Sequence, residues 1–134
     1  MELTPHLQQE LKKLGVVSLY LFGSRAFGKE TPLSDYDYAV LLNAGGHLRG
    51  DPLYYRLYDI LAAISPRTQE NDVIDIVYLK DVSLELRFHV IRYGVVLFDS
   101  NPDLRLDFEA HTTLLYCDYR PVLDRFDQTI LQNL

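Results

Sequence analysis

The sequence predicts an α/β domain, a small mixed sheet flanked by helices and finished by a C-terminal helical segment. Three observations predict it. β-branched and aromatic runs at 16–22, 36–43, 71–79 and 95–98 read as strands. Segments with apolar residues at helical spacing fall between or beside them, and Gly, Pro or a capping residue stands at most boundaries. Strands alternating with helices bury their apolar faces in layers, which is the α/β arrangement.

Each element follows from local chemistry. Thr4 as N-cap and Pro5 at the first helical position open a helix through Leu14; Leu3, Leu7, Leu11 and Leu14 share one face, and Gly15 stops it. The strand 16–22 ends at the permissive Gly23, and a tight turn is expected to follow. A short helix starting at Ser24 would turn its first free N–H groups and the Ser24 hydroxyl outward together, which is an anion site; helix capping uses the same geometry, so both roles fit Ser24. Thr31, Pro32, Leu33 and Ser34 break the order, and Tyr36, Tyr38, Val40 and Leu42 then alternate with Asp35, Asp37, Ala39 and Leu41 through Asn43.

Residues 43–50 form the one flexible stretch. Asp51 and Pro52 cap a second helix to Ile64, with Leu53, Leu57, Ile60, Leu61 and Ile64 as its stripe. Asp75 sits in the strand 71–79. Ser83 begins a third helix ending near Tyr93 and Gly94, and 95–98 is a short strand. Asn101, Pro102 and Asp103 introduce the last helix, which Pro121 is expected to kink or break because it has no N–H to donate. Its apolar positions Leu104, Phe108, Leu115 and Phe126 suit either packing on the sheet or a partner surface.

Composition bounds the function. A chain of 134 residues with 48% hydrophobic content is read as one domain, 1–134, with a catalytic core over 1–100 and the helical segment over 101–134. A net charge of −6 argues against holding nucleic acid by phosphate neutralisation, so no direct nucleic-acid binding is expected. The single Cys117 excludes an internal disulfide framework and favours a reducing compartment. The N-terminus lacks a basic start and a signal-length apolar core, and no run reaches the length of a membrane span, so a cytoplasmic protein is expected. His6, His47, His89 and His111 are scattered, and no sequence motif groups them. Most of the ten tyrosines, including Tyr54, Tyr55 and Tyr58 on the second helix, read as half-buried packing residues.

The carboxylates carry the chemistry. Side chains two apart on a strand share a face, so Asp35 and Asp37 project together about 6–7 Å apart. Such a pair repels unless a cation lies between, and oxygen donors of this kind suit Mg²⁺ shared with substrate phosphates. Asp75, a charged residue within an apolar run, is the candidate third ligand; Asp72, an odd number of residues away and on the opposite face, is the competing candidate. Gly23, Ser24 and Arg25 are the candidate nucleotide-binding residues. Arg25 and Lys29 read either as phosphate contacts or as ordinary surface charges. Taken singly the Gly-Ser and Asp-x-Asp patterns are weak; together, with ten residues between Ser24 and Asp35 and strands on both sides, they are specific.

Gly23-Ser24-x10-Asp35-x-Asp37 with Asp75 in a later strand resembles the signature of the polymerase-beta-like nucleotidyltransferase superfamily. Within it, the chain resembles the minimal nucleotidyltransferases encoded beside HEPN-domain ribonuclease toxins; the resemblance runs on through 73–77, 94–98 and a long C-terminal helix carrying Tyr116, Tyr119 and Pro121. It implies the nucleotidyltransferase fold, ATP as substrate, two Mg²⁺ ions held by Asp35, Asp37 and Asp75, and an antitoxin that transfers AMP to a tyrosine of its cognate HEPN toxin, forming a hetero-oligomer with it. Two other readings stay open: an antitoxin that neutralises by binding alone, and an adenylyltransferase acting on a small molecule such as an aminoglycoside.

Overall fold

Helix α1 (Pro5–Lys13) begins where Thr4 Oγ1 accepts from the Leu7 N–H at 3.3 Å, and it ends because Gly15 takes φ +84°. The computed structural model describes residues 2–26, 35–43, 51–66 and 74–132, with the side chains of 122–124 and 126–132 outside that set. After α1 come β1 (Val16–Phe22), β2 (Tyr36–Leu42), α2 (Pro52–Ile64), β3 (Ile74–Tyr78), α3 (Leu84–Tyr93), β4 (Val95–Asp99) and α4 (Pro102–Gln132). Asp51 and Ser83 cap α2 and α3 by accepting from the N–H of Tyr54 and Leu86.

The four strands form one sheet in the order β3-β2-β1-β4. β1 runs antiparallel to both β2 and β4, and β2 pairs parallel with β3. The mixed sheet expected from the sequence is therefore present. The parallel β2–β3 pair requires a crossover, and α2 lies on that connection.

Alternation along the strands divides the interior into two cores. On one face Leu19, Leu21, Tyr36, Tyr38, Val40, Ile74 and Ile76 pack against Leu11 of α1 and Leu57, Ile60, Leu61 and Ile64 of α2. On the other, Val17, Tyr20, Ala39, Leu41 and Leu79 pack against Val90 of α3, with Phe108 of α4 at the margin. Tyr20, Tyr36 and Tyr38 are fully buried rather than half-buried. Burial is tolerated because their hydroxyls are bonded: Tyr36 to the Pro66 carbonyl, Tyr38 to Ser65 Oγ at 2.6 Å, and Tyr20 to Glu109 Oε1 at 2.7 Å.

Pro121 lies inside α4 without breaking it. One proline removes a single intrahelical bond, and α4 runs on past that gap to Gln132. Of the apolar positions on α4, Phe108 packs on the sheet, while Leu104 and Leu115 are exposed; the Phe126 side chain lies outside the described residues. A half-buried polar network fastens α4 to the sheet. Arg105 Nε donates to Asp99 Oδ2 at 2.6 Å and Nη1 to Glu109 Oε1 at 3.0 Å, and the Tyr20 hydroxyl shares the same Glu109 oxygen. Among the described residues, no helix is long and apolar enough to cross a membrane.

Candidate active site

β1 delivers Gly23 and Ser24 to one end of the sheet. Ser24 to Ala26 form the tight turn expected after Gly23, closed by the Ala26 N–H on the Gly23 carbonyl at 3.1 Å. Gly23 holds φ +77°, and a Cβ built on it collides with Asp37 Oδ2 and comes within 3.3 Å of Asp37 Cγ. Glycine is needed twice here, for the backbone angle and for the carboxylate pressed against its Cα.

β2 and β3 deliver the acids. Phe22 pairs with Asp37, and Asp37 pairs in register with Asp75 across the parallel ladder. Their neighbours Ala39 and Val77 belong to the core under α3, so both carboxylates stand on that face of the sheet. Asp35 precedes β2 by one residue and is exposed, while Asp37 and Asp75 are half-buried. Asp72 and Lys29, the remaining sequence candidates, lie outside the described residues, as do residues 44–50 of the expected flexible stretch.

Electrostatics ties the acids together. The carboxyl of Asp37 is pushed above the usual carboxylate range, chiefly by burial and then by the charges of Asp75 and Asp35. Among the described residues no three His, Cys, Asp or Glu side chains already stand as a metal-ligating cluster. The Asp37 shift shows that the charges of Asp75 and Asp35 bear on it. The donor set fits a hard divalent cation: all oxygen, with a half-buried acid whose ionisation is opposed by its neighbours.

Arg25 is placed differently from the other candidates. Its guanidinium lies 3.8 Å from the centroid of the Tyr36 ring, and its charge also bears on Tyr38. Both tyrosines belong to the core on the opposite face from Asp37 and Asp75. The structure thus gathers Gly23, Ser24, Asp35, Asp37 and Asp75 at one end of the sheet and turns Arg25 away from the carboxylate face. A turn-borne arginine reads identically in sequence whichever way it points, and only the buried Tyr36 ring decides it.

A cavity of about 250 Å³ lined by Val17, Leu41, Leu104 and Phe108 lies at the opposite end of the sheet, away from the acids. A cleft of about 560 Å³ between α3 and α4, lined in part by Phe88, Arg92, Tyr93, Thr113 and Arg120, lies nearer to them. Sequence reading did not single out this cleft, since its residues come from two helices with no shared motif.

The model of the family described as polymerase beta, nucleotidyltransferase, matches residues 6–103. The chain belongs to this nucleotidyltransferase family. Solved structures share the nucleotidyltransferase's fold. One is a toxin–antitoxin crystallised with AMP-PNP, at 24% identity and TM-score 0.60, covering 89% of this chain and 97% of that one. Another is a tri-AMPylated Shewanella oneidensis HEPN toxin in complex with an MNT antitoxin, at 21% identity and TM-score 0.53, covering 90% and 96%. A third, the toxin–antitoxin MntA–HepT, has 21% identity and TM-score 0.52, covering 92% and 98%. No curated protein sequence matches. At these identities the likeness establishes the fold of the nucleotidyltransferase.

Proposed function

We propose that this nucleotidyltransferase is an antitoxin that transfers AMP from ATP to a tyrosine of a HEPN ribonuclease toxin. The observation that carries the reading is the juxtaposition of Asp35, Asp37 and Asp75 on one face with the Gly23 turn packed on Asp37. Similar structures with AMP-PNP and with an AMPylated toxin support the choice of nucleotide and acceptor.

In the proposed reaction, Gly23, Ser24 and the N–H groups of their turn hold the β- and γ-phosphates. The tyrosine oxygen forms a bond to the α-phosphorus, the bond from that phosphorus to the bridging oxygen breaks, and pyrophosphate leaves. The tyrosine proton passes to Asp75, which stands on the edge strand β3 where an acceptor can approach. Asp35, Asp37 and Asp75 are the residues that would hold Mg²⁺, which when bound neutralises triphosphate charge and acidifies the acceptor hydroxyl. The added phosphate would alter charge and bulk at the toxin's active site and so block RNA cleavage.

Labelled ATP, Mg²⁺, the purified chain and the protein encoded by the adjacent gene supply the test. Label is expected on a tyrosine of that protein. The double substitution Asp35→Asn/Asp37→Asn should abolish transfer with the fold intact; full transfer by that variant would sink the proposal. Neutralisation of the toxin without any label would favour an antitoxin acting by binding alone.

A further inference from the structure

We infer that Arg92 and Arg120, on the walls of the cleft between α3 and α4, bind the pyrophosphate end of the nucleotide. The inference rests on the transfer reaction proposed above and names residues that do part of its work. A nucleoside triphosphate approaching Asp35, Asp37 and Asp75 meets like charge, and its leaving group gains more negative charge as the bond to the α-phosphorus breaks. Cationic side chains are needed near the departing end. Arg25, the basic residue of the phosphate turn itself, stacks on Tyr36 on the opposite face.

The strand register puts the cleft where that end must go. Leu21 pairs with Val95 antiparallel, and a Cβ built on Gly94 would stand 3.3 Å from the Leu21 carbonyl oxygen. Running back from Val95 to Tyr93 therefore follows β1 forward toward Gly23, so the C-terminal turn of α3 ends beside the phosphate turn. α3 covers the same face of the sheet that Asp37 and Asp75 occupy. In-line displacement puts entering and leaving oxygens on opposite sides of the phosphorus. With Asp75 on β3 marking the acceptor's side, the leaving group departs across β1 toward β4, the side on which the C-terminal turn of α3 carries Arg92.

The cleft has the matching charge. Its carboxylate, Glu109, is engaged by Arg105 and the Tyr20 hydroxyl. Arg92 and Arg120 are exposed, and among the described residues neither has an ion-pair partner. Two such arginines in one cleft are notable on a chain of net charge −6. The volume of about 560 Å³ admits a pyrophosphate group with its water.

Titration calorimetry of the full chain with inorganic pyrophosphate in EDTA tests the inference, with AMP as the control ligand. Wild type is expected to bind pyrophosphate. Arg92→Gln/Arg120→Gln should weaken that binding at least tenfold and change AMP binding less than twofold, while the corresponding pair of Arg→Lys substitutions retains most of it. Both side chains are exposed, so the circular dichroism spectrum should not change. Absence of pyrophosphate binding by wild type overturns the inference, as does equal affinity in the double Gln variant. A rise in KM for the acceptor protein with pyrophosphate affinity unchanged overturns it too, and makes the cleft an acceptor dock. The titration uses neither acceptor nor turnover, so failure of AMP transfer to a toxin is read separately.

Discussion

Substituting Gly23 by Ala separates backbone strain from damage to the carboxylate site, because Gly15 supplies a matched control. Gly23 and Gly15 adopt φ +77° and +84°. An alanine at either pays the left-handed penalty of about 1–2 kcal/mol, or a fall of roughly 4–8 °C in Tm for a chain of this size. The surroundings then differ. The nearest atom to a Cβ at position 15 is Asn43 Cβ at 3.9 Å, an ordinary contact, whereas at position 23 the Cβ strikes Asp37 Oδ2 and the carboxylate must move. A displacement of about 1 Å in a catalytic group costs on the order of 100-fold in rate. Gly15→Ala is therefore expected to lose stability and keep transfer, and Gly23→Ala to lose a similar amount of stability and about 100-fold in kcat. Thermal melts and single-turnover transfer of labelled AMP measure the two quantities. Equal kcat in the two variants, with both folded, would refute the claim that the Gly23–Asp37 contact positions the site.

Other perturbations have equally definite signs. Asp37 has a raised pKa in the folded protein, so the stability present below its unfolded value of about 3.9 is lost as pH rises through the folded value. Asp37→Asn should remove that dependence, raise Tm at pH 7 and abolish transfer; a lower Tm at pH 7 would contradict the repulsion among the acids. Arg105→Leu leaves Asp99 and Glu109 without their cation, with side chains only 18% and 22% exposed, and is expected to cost about 3 kcal/mol and lower Tm by roughly 10 °C. An unchanged melt would show that the network does not hold α4. Tyr78 is pushed up to about 12, first by burial and then by Asp51, Tyr54 and Asp81. Its contribution is complete below an unfolded pKa of about 10 and lost as pH rises through about 12, so Tyr78→Phe should flatten the alkaline limb of stability between those values, followed by thermal melts across that range.

Much of this was legible in the chain because local chemistry fixes it. Thr4 and Asp51 cap helices by bonds to the N–H three residues on, and β2 is apolar nearly throughout because both its faces are covered, Tyr36, Tyr38 and Val40 in one core and Ala39 and Leu41 in the other. The Gly23-Ser24 turn and the Asp35-x-Asp37 pair carry their spacing in the sequence, and with it the family. Other features depended on contacts between distant residues. The in-register pairing of Asp37 with Asp75 exists only after α2 has carried the chain across to a parallel strand. Pro121 has the chemistry to kink or break a helix, and α4 continues through it.

The sequence by itself determined the strand and helix order, the turn after Gly23 and the candidate acids, since these rest on propensity, capping and spacing along the chain. Only the tertiary structure decided which way the charges point. Arg25 stacks on Tyr36 beneath the opposite face, Glu109 is engaged by Arg105 and Tyr20, and Arg92 and Arg120, on successive helices joined through β4, come to share one cleft. The physical reason is that a charge acts through distance and burial, and both are set by packing between elements rather than by neighbours in the chain.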